Sequence, residues 1–525
     1  MKKISTLLIL VVVLKVSFAQ QSKFSKIYFD ISTAFSADGM VKSYDGGLIV
    51  TGIYNYSSTV MKIDSTGTIV WAYNFGLGQN ESVNAIVRTT DSCYVMTGKT
   101  YDPVSNTLDI ILTKLDQSGI VMWSKVVNLP GNQESFAIAQ TNDDGFIITG
   151  NESYTTPPHS RILVSKLDSL ANVEWCKVYE GGNNGNFGNS VKQTPDGGYA
   201  VVGYVEDYPP FDGNGLLMKL SSLGNVEWAN KYNTIVPTVF TGNDLVVASD
   251  GIYSYFATAN EHAIIKTDFN GNDFWSETLS GGVPGVSILN TVTSKMKLLP
   301  DGNLIFATGS KGFASMSSIV CIDSTGNFNW SQYIYNSVHD IEQADDHGFF
   351  MLGNGPLIGV RTSSIINPHV GIIKSDSLGN ADLCTSVNPT VSVNFGTITH
   401  GTLTLTVIPY SALNSTLTLV NSNVLLSEQV SCVDILGGVE INSDAIAEIY
   451  PNPNSSAFNL ILPSTDGNVL VEILDVTGKE VYSHEYTPDL SDKIKIDHSL
   501  SAGMYYVNIN SKENHWVKKI IVGRK

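Results

Sequence analysis

One acidic and aromatic stretch of the sequence is the best candidate for ligand recognition. Carboxylates accept hydrogen bonds from hydroxyl and amide groups, and aromatic rings stack on flat apolar faces. This combination suits a sugar or a peptide, although a solvated loop without a ligand is an equally good interpretation. The candidate residues are Tyr204, Glu206, Asp207, Tyr208, Phe211 and Asp212.

Recognised catalytic motifs are absent from the sequence. There is no Gly-x-Ser-x-Gly turn, no His-Glu-x-x-His pair, no phosphate-binding Walker loop and no Cys-x-x-Cys pair. The nine histidines are scattered along the chain. We therefore predict no catalytic residue, no metal and no cofactor, and we favour a non-catalytic binding or adhesion protein. A secreted hydrolase or lyase with a loop-built site is the alternative, and a structural surface-layer protein is a third interpretation.

The element that positions these residues is a repeat of about fifty residues. Six tryptophans recur at intervals of 47 to 55 residues, most of them shortly after a tight turn of the Asp-x-x-Gly type. An Asp-Gly turn precedes most copies, as in Asp45-Gly46 and Asp196-Gly197, and such turns join β-strands. The tryptophans are Trp71, Trp123, Trp175, Trp228, Trp275 and Trp330.

Each repeat therefore predicts four strands, and four strands per unit of this length are typical of a β-propeller blade. A seventh copy, at 345–379, lacks the tryptophan strand. The segment Phe24 to Tyr28 resembles the one that begins at Trp123. We predict that it completes the seventh blade and covers the exposed sheet edge there.

Residues that recur in every blade are expected to be structural. The tryptophans should fill the space between blades, and the Asp-x-x-Gly aspartates should cap turns rather than bind calcium. The recurrent lysines should lay their stems along the sheet and pair with nearby acids. These lysines are Lys62, Lys114, Lys166, Lys219, Lys266 and Lys374.

The predicted loops differ between the two faces of the ring. In a four-stranded meander, the first and third connections lie on one face, and both are tight turns in this sequence. The second connections and those between blades lie on the other face and are long and irregular, as at 204–212 and 353–369. Variable loops on a rigid scaffold are where binding usually resides.

Composition and charge indicate where the protein is located and which classes of partner are disfavoured. The net charge of −18 disfavours nucleic acid and anionic membrane surfaces. Residues 1–19 begin with Lys2 and Lys3 and continue with an apolar run and a Ser17-Phe18-Ala19 cleavage site, which predict a secretory signal peptide. Cys93, Cys176 and Cys321 lie in strand-like runs and are interpreted as core residues.

The sequence predicts an all-β fold in three parts after the signal. A seven-bladed propeller should span 20–384, a small β-module or hairpin extension 385–436, and a separate β-sandwich 447–525. Cys384 and Cys432 bracket the module, and in an oxidising compartment we predict that they form a disulfide.

The C-terminal part carries a set of motifs that closely resembles the type A C-terminal sorting domain of the type IX secretion system of Bacteroidetes bacteria. The matching residues are Tyr450, Pro451, Asn452, Pro453, Asp475, Gly478, Lys479, Gly503, Tyr505, Lys518 and Lys519.

The resemblance implies an immunoglobulin-like sandwich that guides passage through the outer membrane, by way of the periplasm. It also implies a partner, the type IX secretion machinery, and cleavage of the tail. The cargo would then be secreted or attached to lipopolysaccharide on the outer cell surface, where a glycan or a protein is the expected ligand.

Overall fold

The computed structural model contains β-strands and no helix in the residues it describes, and it divides into two units, 1–434 and 435–525. The described part of the chain holds no helix that is long and apolar enough to cross a membrane. The structure describes residues 23–29, 35–54, 57–75, 81–155, 158–207, 212–233, 240–257, 262–280, 295–308, 317–334, 337–354, 370–381, 386–387, 392–394, 399–402, 406–410, 413–416, 421–423, 427–430, 448–450, 456–461, 468–475, 479–487, 493–501, 503–510 and 515–522. The predicted signal peptide lies outside these residues.

The strands before residue 381 are β1 (Phe24–Phe29), β2 (Phe35–Lys42), β3 (Leu48–Tyr54), β4 (Ser57–Ile63), β5 (Ile69–Phe75), β6 (Ser82–Arg88), β7 (Tyr94–Asp102), β8 (Thr107–Leu115), β9 (Val121–Asn128), β10 (Asn132–Gln140), β11 (Phe146–Thr155), β12 (Pro158–Leu167), β13 (Val173–Glu180), β14 (Asn186–Gln193), β15 (Tyr199–Asp207), β16 (Asp212–Leu220), β17 (Val226–Asn233), β18 (Thr241–Val247), β19 (Ile252–Ala257), β20 (His262–Thr267), β21 (Asp273–Ser280), β22 (Met296–Leu298), β23 (Leu304–Thr308), β24 (Ser317–Ile322), β25 (Phe328–Ile334), β26 (Ser337–Gln343), β27 (Phe349–Asn354) and β28 (Val370–Lys374).

These strands form seven antiparallel blades. Blade 1 is β2 to β5, and the next five blades follow in groups of four, ending with β22 to β25 as blade 6. Blade 7 combines β26, β27 and β28 with β1. The first strand of each blade contacts that of the next, and β26 contacts β2, so the ring is closed. The predicted seven-bladed propeller is confirmed.

The N-terminal strand completes the last blade, as predicted. In β1, Phe24 lies opposite Lys374 and Tyr28 lies opposite Val370 of β28. Tyr28 is fully buried, and its hydroxyl donates a hydrogen bond to the carbonyl oxygen of Gly67 in blade 1 at 2.6 Å. This strand therefore joins the first and last blades of the ring.

A further seven short strands follow the blades. They are β29 (Ser386–Val387), β30 (Ser392–Asn394), β31 (Thr399–Thr402), β32 (Thr406–Tyr410), β33 (Leu413–Thr416), β34 (Asn421–Asn423) and β35 (Ser427–Val430).

We call these seven strands the belt, because they visit every blade in turn. In chain order they pair with the fourth strands of blades 6, 5, 4, 3, 2, 1 and 7. All seven pairings are antiparallel. We predicted a small β-module or hairpin extension at 385–436, and the described strands of this segment each pair with a blade. They give each blade a fifth strand, which covers an edge that would otherwise expose unpaired backbone groups.

The tryptophans occupy the space between neighbouring blades, as predicted. A Cβ added at Gly224 in blade 4 would lie 2.8 Å from the ring of Trp175 in blade 3. The Trp175 indole N–H also donates to the carbonyl oxygen of Ser222 at 3.1 Å. Gly119, Gly271, Gly326 and Gly379 face the tryptophan of the preceding blade in the same way, and Gly67 faces Phe24.

The glycine of each of these turns has a left-handed backbone, with φ of +71° at Gly224. Such a backbone favours glycine because a Cβ is strained there. In blade 3 the position is taken by Ala171, which is fully buried at φ +57° and belongs to the same hydrophobic cluster as Trp123. The turn therefore needs both an unusual φ and a small side chain beneath the aromatic ring.

The recurrent lysines pair with the aspartates of the Asp-Gly turns, as expected. Lys219 Nζ lies 2.8 Å from Asp196 and Lys166 Nζ lies 2.9 Å from Asp143. Partial burial opposes ionisation, but hydrogen bonds from the lysine and a threonine lower the pKa of both aspartates to about 2. The equivalent pairs are Lys62–Asp45, Lys114–Asp91, Lys266–Asp250 and Lys374–Asp346.

The cysteines divide into two groups. Cys93, Cys176 and Cys321 are buried free thiols, which confirms their interpretation as core residues. Cys384 and Cys432 lie outside the described residues, so their disulfide stays a prediction. The belt agrees with a pairing of its two ends, because its first strand pairs with blade 6 and its last strand pairs with the neighbouring blade 7.

The second unit is a β-sandwich. Its strands are β36 (Glu448–Tyr450), β37 (Ala457–Ile461), β38 (Val469–Asp475), β39 (Glu480–Tyr486), β40 (Lys493–Asp497), β41 (Gly503–Asn510) and β42 (His515–Val522). They form a three-stranded sheet, β36-β37-β40, and a four-stranded sheet, β39-β38-β41-β42. Side chains from both sheets share one core, with Phe458 from the first and Ile473 from the second fully buried.

Replacing the closing tyrosine should weaken the ring. Tyr28→Ala empties a fully buried site and removes the hydrogen bond to Gly67. We expect the free energy of unfolding to fall by about 3–5 kcal/mol. Phe274→Ala is the control, since this ring is 58% exposed and its loss should cost about 0.5 kcal/mol or less. Denaturant unfolding followed by tryptophan fluorescence measures both, and equal values would contradict the closure.

A pair of glycine variants in blade 4 isolates the aromatic contact. Gly224→Val and Gly197→Val both strain a positive φ, of +71° and +82°. An added Cβ at Gly197 meets no described atom within 4 Å, whereas one at Gly224 meets the ring of Trp175. We expect Gly224→Val to be the less stable variant by about 1–3 kcal/mol, which is the usual cost of overpacking. Equal melting temperatures would mean that the contact does not stabilise the ring.

Candidate binding face

The middle hairpins of blades 2, 3 and 4 have longer described strands than those of the other blades. Their strands have nine or ten residues, from β7 and β8 to β15 and β16. The corresponding strands elsewhere have five to seven. Pairing continues to Asp102–Thr107, Thr155–Pro158 and Asp207–Asp212. These three raised hairpins stand side by side on the face with the variable loops.

The predicted recognition residues lie at the end of the third raised hairpin. Tyr204 is 7% exposed and stacks on Phe187, with ring centroids 6.2 Å apart. Glu206 is 8% exposed, and its Oε2 accepts a hydrogen bond from the side-chain amide of Asn184 at 3.0 Å. These two side chains therefore support the hairpin rather than face a ligand.

The other four members of the patch are less fully described. Asp207 and Asp212 are opposite each other in the last pair of the hairpin. The side chains of these two residues, and the whole of Tyr208 and Phe211, lie outside the described residues. The backbone thus brings the patch to one hairpin tip, and its role in recognition stays a prediction.

A buried polar network joins blades 3 and 4 beneath this tip. Asn186 is fully buried, its backbone N–H donates to Ser160 Oγ at 2.9 Å, and its side-chain amide donates to the Ser160 carbonyl at 2.9 Å. The backbone N–H of Asn184 donates to the Glu206 carbonyl at 3.1 Å. Buried amides satisfied in this way rigidify the elements that they connect. The raised hairpins of blades 3 and 4 are consequently held as one surface.

The second raised hairpin contains an ion pair that no sequence motif predicted. Arg161 and Glu152 are cross-strand partners, and Arg161 Nη2 lies 2.7 Å from Glu152 Oε2. Glu152 is fully buried, so removing either partner would leave a costly unpaired charge. Nearby, His159 Nε2 lies 3.2 Å from Glu180 Oε1, and both side chains are partly exposed. The sequence does show opposite charges, Glu152 and Arg161, on either side of a short turn. Only the register of the hairpin shows that these two residues lie opposite each other.

The described residues give no support for a bound cation at the turns. They contain no group of three or more metal-ligating side chains. Asp64 Oδ1 accepts the backbone N–H groups of Thr66 and Thr68 at 2.8 and 2.9 Å, so this carboxylate caps its own turn. Burial opposes ionisation slightly, but the hydrogen bonds from the two threonines hold the pKa of Asp64 below its usual value. Turn capping accounts for these aspartates.

The comparison with known families concerns the second unit. Residues 448–523 match the family described as the secretion system C-terminal sorting domain. They are a type IX sorting domain. The chain is therefore exported by the type IX secretion system to the cell surface or the medium.

Several motif residues of the sorting domain have structural roles. Asp475 ends β38, and its Oδ1 accepts the backbone N–H of Lys479 at 3.1 Å. The hydroxyl of Tyr505 donates to the carbonyl of Ser501 at 3.0 Å. The remaining described members are Tyr450 on β36, Gly503 on β41, and Lys518 and Lys519 on β42. Pro451, Asn452, Pro453 and Gly478 lie outside the described residues.

Solved structures resemble the propeller only weakly. A Bacteroides caccae protein of unknown function is 12% identical over 59% of this chain and 93% of its own, with a TM-score of 0.34. Drosophila Plexin A in complex with Semaphorin 1b is 6% identical over 69% of this chain and 88% of its own, with a TM-score of 0.35. A search of curated proteins found no match.

Removing the sorting domain should stop export at the outer membrane. A chain that lacks residues 448–523 should accumulate in the periplasm, because the segment that addresses the secretion machinery is gone. Fractionation with immunodetection measures this, with the full-length chain as the positive control. Tyr506→Ala is a folding control, since this side chain is 38% exposed. Normal surface delivery of the truncated chain would contradict the role of the domain.

Proposed function

We propose that the exported propeller is a non-catalytic binding or adhesion protein whose ligand contacts the raised hairpins of blades 2 to 4. The observation that supports this is the set of three adjacent hairpins whose described strands are longer than those of the other four blades. A rigid scaffold that presents variable loops on one face is a common design for recognition. Attachment to surface lipopolysaccharide after loss of the tail belongs to the same proposal.

A sugar or a peptide is the ligand class that suits this face. The tip of the third hairpin carries two aspartates, a tyrosine and a phenylalanine within the segment 207–212. Hydroxyl and amide groups of a ligand would donate to the carboxylates, and apolar faces would stack on the rings. The amide network between Asn186 and Ser160 connects the raised hairpins of blades 3 and 4 and limits their relative motion, which reduces the entropy lost on binding.

A loop-built hydrolase or lyase is the second candidate. The observation in its favour is the partly exposed pair of His159 and Glu180, which are 3.2 Å apart on the same face. A histidine oriented by a carboxylate is a common general base. Two other acids of the raised hairpins are already engaged, Glu152 by Arg161 and Glu206 by Asn184.

Glycan and peptide arrays probed with the secreted protein test the first candidate. We expect saturable binding without turnover, weakened at least about tenfold in the double variant Tyr208→Ala/Phe211→Ala, since aromatic anchors each contribute 1–3 kcal/mol or more. Leu223→Ala is the control, because this 67% exposed side chain lies on a tight turn of the opposite face. Turnover that His159→Gln abolishes would instead establish the second candidate. Neither binding nor turnover would leave a structural surface-layer protein.

A further inference from the structure

The residue two places after the tryptophan, or after Phe24 in blade 7, lies against the tight turn of the next blade. In most blades its side chain donates a hydrogen bond to that turn. Lys177 Nζ donates to the carbonyl oxygen of Leu223 at 2.7 Å, and Asn230 Nδ2 donates to that of Gly271 at 2.8 Å. We call these seven positions the seam row, because they lie where neighbouring blades meet. From blade 1 to blade 7 they are Tyr73, Lys125, Lys177, Asn230, Glu277, Gln332 and Lys26.

Five of the seven side chains in the seam row are hydrogen-bond donors to the next blade. Besides Lys177 and Asn230, the donors are Lys125 to Asn172 Oδ1, Gln332 to Asn380 Oδ1 and Lys26 to the carbonyl oxygen of Gly67, each at 3.0 Å. Tyr73 instead stacks on Trp71, with ring centroids 5.1 Å apart. The seam row therefore fastens one blade to the next around the ring.

Glu277 is the exception in the seam row, because an ionised carboxylate accepts hydrogen bonds and cannot donate one. It lies on β21 of blade 5 and is 5% exposed. Its Cγ is 3.2 Å from the place that a Cβ on Gly326 of blade 6 would occupy. Among the residues that the structure describes, the buried Oε2 of Glu277 has no hydrogen-bond partner. A buried carboxylate without a donor is costly.

The turn beside Glu277 has the same backbone as the other turns of its kind. The Gly326 N–H donates to the carbonyl oxygen of Asp323 at 3.1 Å, and φ is +91° at Gly326 and +85° at Gly271. The turn of blade 6 therefore presents its carbonyl oxygen to Glu277 as the turn of blade 5 presents one to Asn230. A protonated carboxyl can donate to this oxygen, whereas an ionised one repels it.

The charged groups described around Glu277 are engaged with other partners. On the neighbouring strand of blade 5, Lys266 pairs with Asp250 at 2.6 Å. At the start of β21, Asp273 accepts a hydrogen bond from a tyrosine of blade 4 at 3.0 Å. In the turn of blade 6, Asp323 accepts backbone N–H groups of its own turn at 2.8 and 2.9 Å. The described belt residues beside β21, 392–394, carry no charge.

One other buried ionisable group of blade 5 lies on the same face of the sheet. His262 is two residues from Ile264, the cross-strand partner of Glu277, and its Nδ1 lies 2.6 Å from the Tyr255 hydroxyl. Burial lowers the pKa of His262 to about 4 and raises that of Glu277 above its ordinary value of 4.5. A raised carboxyl pKa stabilises the fold below the ordinary value, and this stabilisation is lost as the pH rises through the raised one.

We propose that the seam between blades 5 and 6 is a pH-sensitive joint of the ring, closed when Glu277 carries a proton and loosened when it is ionised. The protonated carboxyl donates to the turn of blade 6, as the other donors of the seam row do to theirs. The amide donors do not titrate, and lysines lose their protons only near pH 10. The other seams therefore hold while this one loosens. This joint lies outside the raised hairpins of blades 2 to 4.

Thermal melting of the full chain between about pH 4 and about pH 8 tests the joint. Glu277→Gln places a permanent donor in the seam row, as Gln332 already does in the next blade. We expect its melting temperature to match that of the unchanged chain near the acid end. It should be higher by about 1–4 °C at the alkaline end, where the amide replaces an unsatisfied carboxylate. His262 titrates in both chains, so its contribution cancels in the difference.

Gln332→Glu is the matched reverse variant, because Gln332 is 7% exposed and holds the equivalent position between blades 6 and 7. It should create a second joint, with normal melting in acid and a loss of about 1–4 °C at the alkaline end. Normal melting in acid also shows that this variant folds. Hydrogen exchange, corrected for its intrinsic pH dependence, locates the effect: exchange of the turn 323–327 should rise with pH in the unchanged chain but not in Glu277→Gln.

Two results would overturn the proposal. One is a melting difference between Glu277→Gln and the unchanged chain that is absent or independent of pH. The other is an exchange rate of the turn 323–327 that follows pH no more than that of the turn 268–272, which Asn230 contacts. Ligand binding at the raised hairpins is measured separately, so failure of the joint and failure of the binding function remain distinguishable.

Discussion

The contact between an aromatic ring and a tight turn of the next blade is the interaction on which the propeller depends. Each ring is placed by the fourth strand of one blade and covers a turn whose left-handed residue is glycine or, in blade 3, Ala171. A larger side chain would collide with the ring, so one geometric requirement fixes both residue types. Seven blades need seven such contacts, and the seventh aromatic residue, Phe24, comes from the N-terminal strand.

Features that recur in every blade could be predicted from the sequence, because repetition reveals them without knowledge of the fold. The tryptophan spacing, the paired lysines and the turn aspartates were all of this kind. The N-terminal strand was also predictable, since Phe24 stands in the same local frame as Trp123. The belt was not, because strands of two to five residues carry no alternation of their own. Their one signal is a spacing of six to eight residues between strand starts, and their register is set by the blades.

The candidate site was predictable in composition but not in geometry. Residue types placed Tyr204 and Glu206 in a recognition patch, yet both side chains are buried beneath it. Whether a side chain on a hairpin faces a neighbouring blade depends on where the two blades meet, and one strand does not contain that information. The same is true of Asn186 with Ser160, and of Glu277, which lies against a turn of the next blade.

The order of the strands along the chain also determines when the edges of the blades can be covered. Each blade would present its fourth strand as an open edge, and an open edge is a template for pairing with another chain. Strand β1 and the belt cover all seven edges using residues from both sides of the repeat region. The belt precedes the sorting domain along the chain, so the residues that seal the blades are made after the last repeat. It follows that the ring reaches its final edge protection only after residues 386–430 have been synthesised.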